Sequence, residues 1–409
     1  MRIGIVGGSI AGCSAAILLL REGHDVTVFE RSDKKLVGRG GGIGTLPSLI
    51  DQLKAENLLD GDFAFFHISK MPMVGKHRDS EPFGRSAYAI PIDFDVFQWN
   101  ELWQDLRNRV PDECYHAGVE ITGAEMTGTE EVLLITSGGD TMVFDLVLFA
   151  DGYSSMGRSL MFRDAKLQYR GYVLWRGLLP ESEMEDPCPL EHAILRLSYV
   201  NEPGHNVMYY IPNQSGSVTE GDRIFNWAAY IVFNDKELEQ VMTDDTGTLR
   251  MGTLPPGRLS RHNEANLKNF LTKHTPEYYA EVVSRTRDSY IQVIYTLDLD
   301  AYYKDRMCLI GDAGIVVQPF TGSGIFKGYQ NVKDLITVLN SGLSLDEALK
   351  QWSEAQVNTG KRLLALGEQM ERAFIWEQPD FATIDAEAAA DWWKKSIAFP
   401  DDFSFEQTA

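Results

Sequence analysis

Residues 3–20, IGIVGGSIAGCSAAILLL, run from a short apolar stretch through glycines at positions 7, 8 and 12 into a long apolar segment. Few folds accept that order. It reads as a buried strand, a tight turn and a helix packed back on the strand, the opening of a strand-helix-strand unit. In Gly7-Gly8-Ser9-Ile10-Ala11-Gly12, the first glycine permits the turn and Gly12 lets the helix close on the strand. Ser9 is small enough for the backbone to come close to a ligand and adds a hydroxyl. The helix start offers unpaired N–H groups and partial positive charge, so the turn suits a pyrophosphate. A second β-rich run, residues 26–30, ends on Glu30, where a carboxylate can accept hydrogen bonds from a ribose. Arg31 follows it.

Downstream, Gly38-Arg39-Gly40-Gly41-Gly42-Ile43-Gly44 carries too many glycines for a regular element, and its backbone is expected to approach a bound group. Residues 97–110 carry Leu102 and Leu106 at helical spacing. Runs on either side of Gly138-Gly139 predict a hairpin, followed by a buried strand ending at Ala150. The next stretch, Ala150-Asp151-Gly152-Tyr153-Ser154-Ser155-Met156-Gly157-Arg158, has the form A-D-G-x-x-S-x-x-R. Residues 169–233 are β-rich with Pro and Gly turns, residues 307–311 form a last buried strand, and Gly311-Asp312 repeats the strand-then-aspartate arrangement. Pro319, Gly322, Ser323, Gly324 and Ile325 then lead into a helix, residues 344–374 are largely helical, and the remaining tail is acidic.

At 409 residues the chain exceeds the size at which one core stops growing, so two domains are expected. The 59 acidic and 38 basic residues give a formal charge of -21, which argues against nucleic acid or an anionic membrane as partner. Cys13, Cys114, Cys188 and Cys308 show neither metal nor disulfide spacing, so no metal is expected and a cytoplasmic location fits. No apolar stretch near the start is long enough to span a bilayer, and a soluble, unprocessed protein is expected, as monomer or homodimer.

The glycine turn, the D-G stretch and the G-D stretch occur in the order and at the spacing of the FAD-dependent aromatic hydroxylases of the para-hydroxybenzoate hydroxylase fold, which this sequence resembles over roughly residues 1–363. The stretches GGSIAG and YRGYVLWRG and the position of Lys327 are most similar to the dihydroxypyridine hydroxylase branch. The resemblance implies an α/β (α+β mixed) fold: a Rossmann-like FAD-binding domain with an inserted β-sheet substrate domain and C-terminal helices. The division expected is 1–75, 96–168 and 290–375 for the FAD domain, 76–95 and 169–289 for the β-rich substrate domain, and 376–409 as a tail. It implies tightly bound FAD, transient NAD(P)H, O2 and a small aromatic or heteroaromatic substrate hydroxylated through a flavin C4a-hydroperoxide. A flavin reductase or oxidase without oxygen insertion is the alternative.

By the same match Asp151 serves flavin and nicotinamide, Asp312 the ribityl-pyrophosphate region, and Pro319 walls the flavin face. With Gly7 to Gly12, Glu30, Arg31, Arg39, Gly42, Ile43 and Gly322 to Ile325 they form the candidate cofactor set. The sequence departs from the family at Trp99, where a helical arginine is common, and at Ile315, Phe326 and Asn331; Arg107 or Arg39 is left to supply the arginine contact. No catalytic acid or base is assigned. Trp175, Tyr209, Tyr210, Trp227 and Tyr230 lie in alternating strands, as lining of a flat apolar cavity or as sheet core.

Overall fold

The structure is a computed structural model describing residues 1–33, 40–78, 80–128, 130–184 and 190–397. In chain order the first half contains β1 (Arg2–Val6), α1 (Ile10–Arg21), β2 (Asp25–Glu30), β3 (Gly42–Thr45), α2 (Pro47–Ala55), β4 (Phe66–Gly75), β5 (Arg85–Gln98), α3 (Trp99–Arg109), β6 (Tyr115–Ala117), β7 (Ile121–Thr127), β8 (Glu131–Thr136), β9 (Thr141–Phe144), β10 (Leu146–Phe149) and α4 (Met156–Met161). The second half adds β11 (Gln168–Pro180), β12 (Leu195–Ser198), β13 (His205–Ile211), β14 (Ile224–Val232), α5 (Asp235–Val241), β15 (Thr253–Leu254), α6 (Arg261–His274), α7 (Glu277–Arg285), β16 (Tyr290–Thr296), β17 (Tyr303–Lys304), β18 (Met307–Leu309), α8 (Gly324–Leu339), α9 (Leu345–Glu371) and α10 (Ala386–Ile397).

One sheet has the order β17-β18-β10-β1-β2-β6, and its β18, β10, β1, β2 and β6 run parallel. Parallel strands are covered on both faces, which is why β10 is buried at every residue and β1 at all but Arg2. On one face α1 is held between the sheet and α8. Ala11 approaches so closely that a Cβ on Gly328 would lie 2.8 Å from its own. The hairpin predicted around Gly138-Gly139 is β8–β9, part of a separate three-stranded sheet with β7.

The second sheet has nine strands, β15-β16-β11-β14-β13-β12-β4-β5-β3, mostly antiparallel. It takes in β3, β4 and all of β5 at one end and β16 at the other. The sequence division assigns residues 42–75, 96–98 and 290–296 to the FAD domain; their strands pair within the larger sheet. Alternation marks a strand but says nothing of which sheet its edge joins, and here the long β4–β5 hairpin carries β3 into the larger sheet.

Two successive residues on a strand face opposite sides, and this sheet has two distinct faces. Trp175, Tyr210 and Trp227 are buried in one cluster with residues of α6 and α7, such as Leu267 and Val282. Leu174, Ala228 and Tyr230 pack on the other face with Tyr172 and Phe320. The tail also has structure: Trp393 of α10 stacks on Phe374 at 5.9 Å and Trp392 meets Phe381 edge-on. No helix among the described residues is long and apolar enough to cross a membrane.

Candidate functional site

Because β18, β10, β1 and β2 are parallel neighbours, the segments that follow them leave the sheet at the same edge. Those segments are Gly311-Asp312, Ala150-Asp151 and the Gly7–Gly12 turn, and Glu30 is the last residue of β2 at the same edge. Ligands of open parallel sheets bind at this carboxyl edge.

The glycines explain the turn. Gly7 sits at φ +106°, where a side chain is strained, and a Cβ there would lie 2.4 Å from the carbonyl oxygen of Ala150. A Cβ on Gly12 would lie 1.8 Å from the Gly7 oxygen, so helix and turn close only around glycine. The Gly8 carbonyl accepts from Trp103 Nε1 and from the Tyr115 hydroxyl, both at 3.0 Å. Glu30 holds the other side: Oε2 accepts from the Gly8 N–H and Oε1 from the Ser32 N–H, each at 2.9 Å. The carboxylate expected at a ribose thus also braces the turn. Ser9 is the N-cap of α1 and makes no side-chain cap, so the N–H groups of the first helical turn face outward from a rigid base.

Asp151 accepts from the N–H groups of Met156 and Gly157 at 2.7 and 3.2 Å and so caps α4. Its Oδ1 is buried without a hydrogen-bond partner, and burial raises the carboxyl above the ordinary aspartate value. Arg158, 4% exposed, donates to the carbonyl of Ala313 at 3.0 Å and to those of Asp312 and Tyr153. It straps the D-G segment to the G-D segment, a role the motif alone did not disclose.

Asp312 stands half-exposed in a 3-10 turn, Gly311–Ala313, and Lys327 Nζ contacts its Oδ1 at 2.5 Å while donating to the Ile315 carbonyl. Gly311, at φ +60°, packs against Ala11 of α1 and donates its N–H to Asn331 Oδ1 at 2.8 Å. Asn331 and Ile315 are therefore structural here. Pro319 is exposed at the start of a second 3-10 turn, and the next residue, Phe320, turns into the aromatic face of the large sheet, 4.8 Å from Tyr230. Gly322 (φ +64°) and Gly324 are exposed while Ser323 and Ile325 are buried, and a Cβ on either glycine would meet nothing within 4 Å. Protein packing does not require glycine at Gly324. Open space above a backbone that presents the N–H groups of α8 fits an extended group with pyrophosphate at one end and a flat ring at the other.

The glycine-rich loop makes its close approach to the large sheet. The Gly42 N–H donates to Asn226 Oδ1 at 2.8 Å, and its carbonyl accepts from Arg176 at 2.7 Å and from the Tyr209 hydroxyl at 2.9 Å. A Cβ on Gly41 would lie 3.1 Å from each of Arg176, Asn226 and Tyr290. Arg176 Nε, Asn226 Nδ2 and the Tyr290 hydroxyl are buried and unpartnered. Burial pushes the Tyr209 phenol up to about 12. Sequence reasoning missed Arg176, Asn226 and Tyr290; the available signal was a charged or amide residue inside otherwise apolar strands.

Of the five aromatic residues picked out by strand alternation, Tyr209 and Tyr230 share this face, and Trp175, Tyr210 and Trp227 lie in the opposite core. Ile43 pairs with Phe97 in β3–β5, and Arg31 is exposed just past β2. Arg39 lies outside the described residues. Arg107 supplies no free guanidinium: it donates to the Val110 carbonyl and Asp112 and stacks 4.0 Å over the Tyr115 ring. Trp99 packs where a Cβ on Gly40 would fall, and its N–H donates to the Gly41 carbonyl.

The family described as NAD(P)-binding Rossmann-like domain matches residues 5–39, and that described as FAD binding domain-like matches residues 169–296. A relative, the 2,6-dihydroxypyridine 3-monooxygenase of Paenarthrobacter nicotinovorans, is 28% identical over 367 residues, 89% of each chain. The 3-amino-4-hydroxybenzoate 2-monooxygenase of Streptomyces cremeus is 25% identical over 371 residues, 87% of this chain and 83% of its own. Among solved structures, 2,6-dihydroxypyridine-3-hydroxylase from Arthrobacter nicotinovorans superposes with a TM-score of 0.81 at 25% identity, covering 93% of this chain and 96% of the other.

Proposed function

We infer from its membership in the FAD-dependent aromatic hydroxylases of the para-hydroxybenzoate hydroxylase fold that this chain is an NAD(P)H-dependent flavoprotein monooxygenase hydroxylating a small aromatic or heteroaromatic ring. One observation carries the reading beyond likeness: Gly7–Gly12, Asp151 and Asp312 leave adjacent parallel strands at one edge and are locked together by Gly12, Arg158 and Gly311. When bound there, FAD supplies hydride acceptance from transient NAD(P)H and the activation of O2.

The chain's own part is binding, orientation and exclusion of water. In this proposal the N–H groups of Ile10, Ala11 and Gly12 hold the pyrophosphate and Glu30 the ribose, with Arg31 beside it. Asp151 Oδ1, which has no donor of its own, and the half-exposed Asp312 accept from the cofactor's hydroxyls. Gly322, Ser323, Gly324 and Ile325 present the positive end of α8 to the ring, where it favours the negative charge that accompanies reduction. Gly42 and Ile43 border the ring's edge and Pro319 walls its face. Leu174, Tyr230 and Phe320 keep water from the reaction space.

The substrate chamber lies between this groove and the large sheet, where Arg176, Asn226 and Tyr290 offer unpartnered polar atoms. Such groups suit a hydroxylated ring, and the Arg176 charge favours its ionised, more nucleophilic form. A setting in the reducing cytoplasm is supported by Cys13, Cys114 and Cys308, which are free.

The test is NADH and NADPH oxidation by the purified protein with 2,6-dihydroxypyridine and 3-amino-4-hydroxybenzoate, with product analysis. Acceleration by a hydroxylated ring together with an oxygenated product supports the proposal. Flavin-containing protein whose oxidation of NAD(P)H no ring accelerates contradicts it.

A further inference from the structure

The Gly8 carbonyl draws more donors than it has lone pairs. It accepts from Trp103 Nε1 and the Tyr115 hydroxyl, both at 3.0 Å, and from Cys13 Sγ at 3.3 Å. All three side chains are buried, and they come from α3, β6 and α1. Burial pushes the Tyr115 phenol and the Cys13 thiol up, so both keep the protons they donate.

Tyr115 is itself fixed. Arg107 stacks 4.0 Å over its ring and is anchored in turn on the Val110 carbonyl and Asp112. The same fit accounts for glycine at position 8, where a Cβ would lie 2.2 Å from the Tyr115 hydroxyl oxygen. With its N–H on Glu30 and its carbonyl on Trp103 and Tyr115, Gly8 has both of its polar groups held.

The consequence falls on the next residue. A trans peptide is planar, and its C=O and N–H point in opposite directions. The described peptide bonds are all trans, so a Gly8 carbonyl drawn toward α3 and β6 aims the Ser9 N–H away from them. That N–H meets no backbone acceptor among the described residues. Ser9 is half-buried and its hydroxyl does not cap α1, so the donor this position offers is its peptide N–H.

We propose that Trp103 and Tyr115 are positioning residues for the cofactor: by holding the Gly8 carbonyl they aim the Ser9 N–H at the pyrophosphate, one donor ahead of those of α1. The proposal rests on the FAD reading above and extends it to side chains that touch no cofactor atom. Donors on the carbonyl also polarise the peptide and strengthen the bond its N–H makes.

The test crystallises the FAD-loaded wild type and titrates FAD into flavin-free wild type, Tyr115→Phe, Ser9→Pro and the double variant. In the crystal, Ser9 N is expected within about 3.2 Å of a pyrophosphate oxygen. Tyr115→Phe deletes one hydroxyl and keeps the ring, and its FAD affinity is expected to fall about three- to tenfold, the scale of one neutral hydrogen bond. Ser9 has φ -84°, near the value proline imposes, so Ser9→Pro removes the N–H with little change of backbone. On that background Tyr115→Phe is expected to weaken FAD binding no further, whereas a merely structural role would lower affinity by the same factor on both. Equal factors, unchanged FAD affinity in Tyr115→Phe, or bound FAD with no phosphate oxygen at Ser9 N overturns the proposal and leaves the FAD reading standing. A wild type that takes up no FAD overturns both. The crystal and the Tyr115→Phe titration decide the matter even if Ser9→Pro fails to fold.

Discussion

Arg158 donates to the carbonyl oxygen of Ala313 at 3.0 Å, joining the segment after β10 to the segment after β18. Because the guanidinium also serves the carbonyls of Asp312 and Tyr153, one side chain sets the spacing of the two aspartates at the sheet edge. Arg158→Met removes the donor from all three carbonyls, of which that of Ala313 is buried. Charged hydrogen bonds of this kind are worth about 1.5–3 kcal/mol each, so the variant is expected to lose about 3 kcal/mol in urea unfolding and to release its flavin on gel filtration. Unchanged stability and flavin content would refute the strap.

Two glycines of the candidate cofactor set predict opposite effects on stability. A Cβ on Gly12 would strike the Gly7 oxygen, so Gly12→Ala is expected to destabilise the protein and to abolish flavin retention. At Gly324 the space is open and the residue starts a helix, so Gly324→Ala is expected to stabilise the flavin-free chain by about 0.5–1 kcal/mol. The same methyl group intrudes where the cofactor approaches, and FAD affinity should fall. Thermal melts of the apo variant and an FAD titration read the two effects separately; an undiminished affinity removes Gly324 from the site.

The Asp151 carboxyl predicts a pH dependence. Burial raises its folded value above the unfolded one, so between those values the folded state holds the extra proton and stability falls as pH rises through that window. Asp151→Asn retains an oxygen for the Met156 and Gly157 N–H groups but cannot ionise. Relative to the variant, wild-type stability is expected to decline in urea titrations as pH rises above the ordinary aspartate value. A constant difference would mean that Asp151 is not held above its ordinary value. FAD retention should weaken in Asp151→Asn, because one half of the carboxylate, Oδ1, has no partner within the protein.

Arg176→Met tests the substrate side. It removes the bond to the Gly42 carbonyl and the positive charge beside Tyr209 and Tyr290 while leaving the pyrophosphate turn untouched. The expected result is retained FAD with at least about tenfold loss of substrate-stimulated NAD(P)H oxidation, the scale of one charged hydrogen bond. Equal stimulation in variant and wild type would place the substrate elsewhere.

The local parts of the site were legible because glycine punctuates sequence wherever backbone must turn or approach closely. Gly7, Gly12 and Gly322 all stand at such points. What stayed hidden was long-range. Nothing near Arg158 in the chain points to Ala313, and nothing in β4 names β12 as its parallel neighbour. Strand parity separates Trp175 from Arg176 and Tyr209 from Tyr210, but which parity faces the cofactor groove depends on the register of strands far apart in sequence. The tail escaped for a similar reason, since Trp392 and Trp393 find partners in Phe374 and Phe381 only after α9 has folded back.

The most direct test of the whole account is the FAD stoichiometry of the purified protein, measured after reconstitution with excess FAD and desalting. A groove built from the Gly7–Gly12 turn, Asp151 and Asp312 predicts about one FAD per chain, lost in Gly12→Ala. A colourless wild-type protein that takes up no FAD would contradict it.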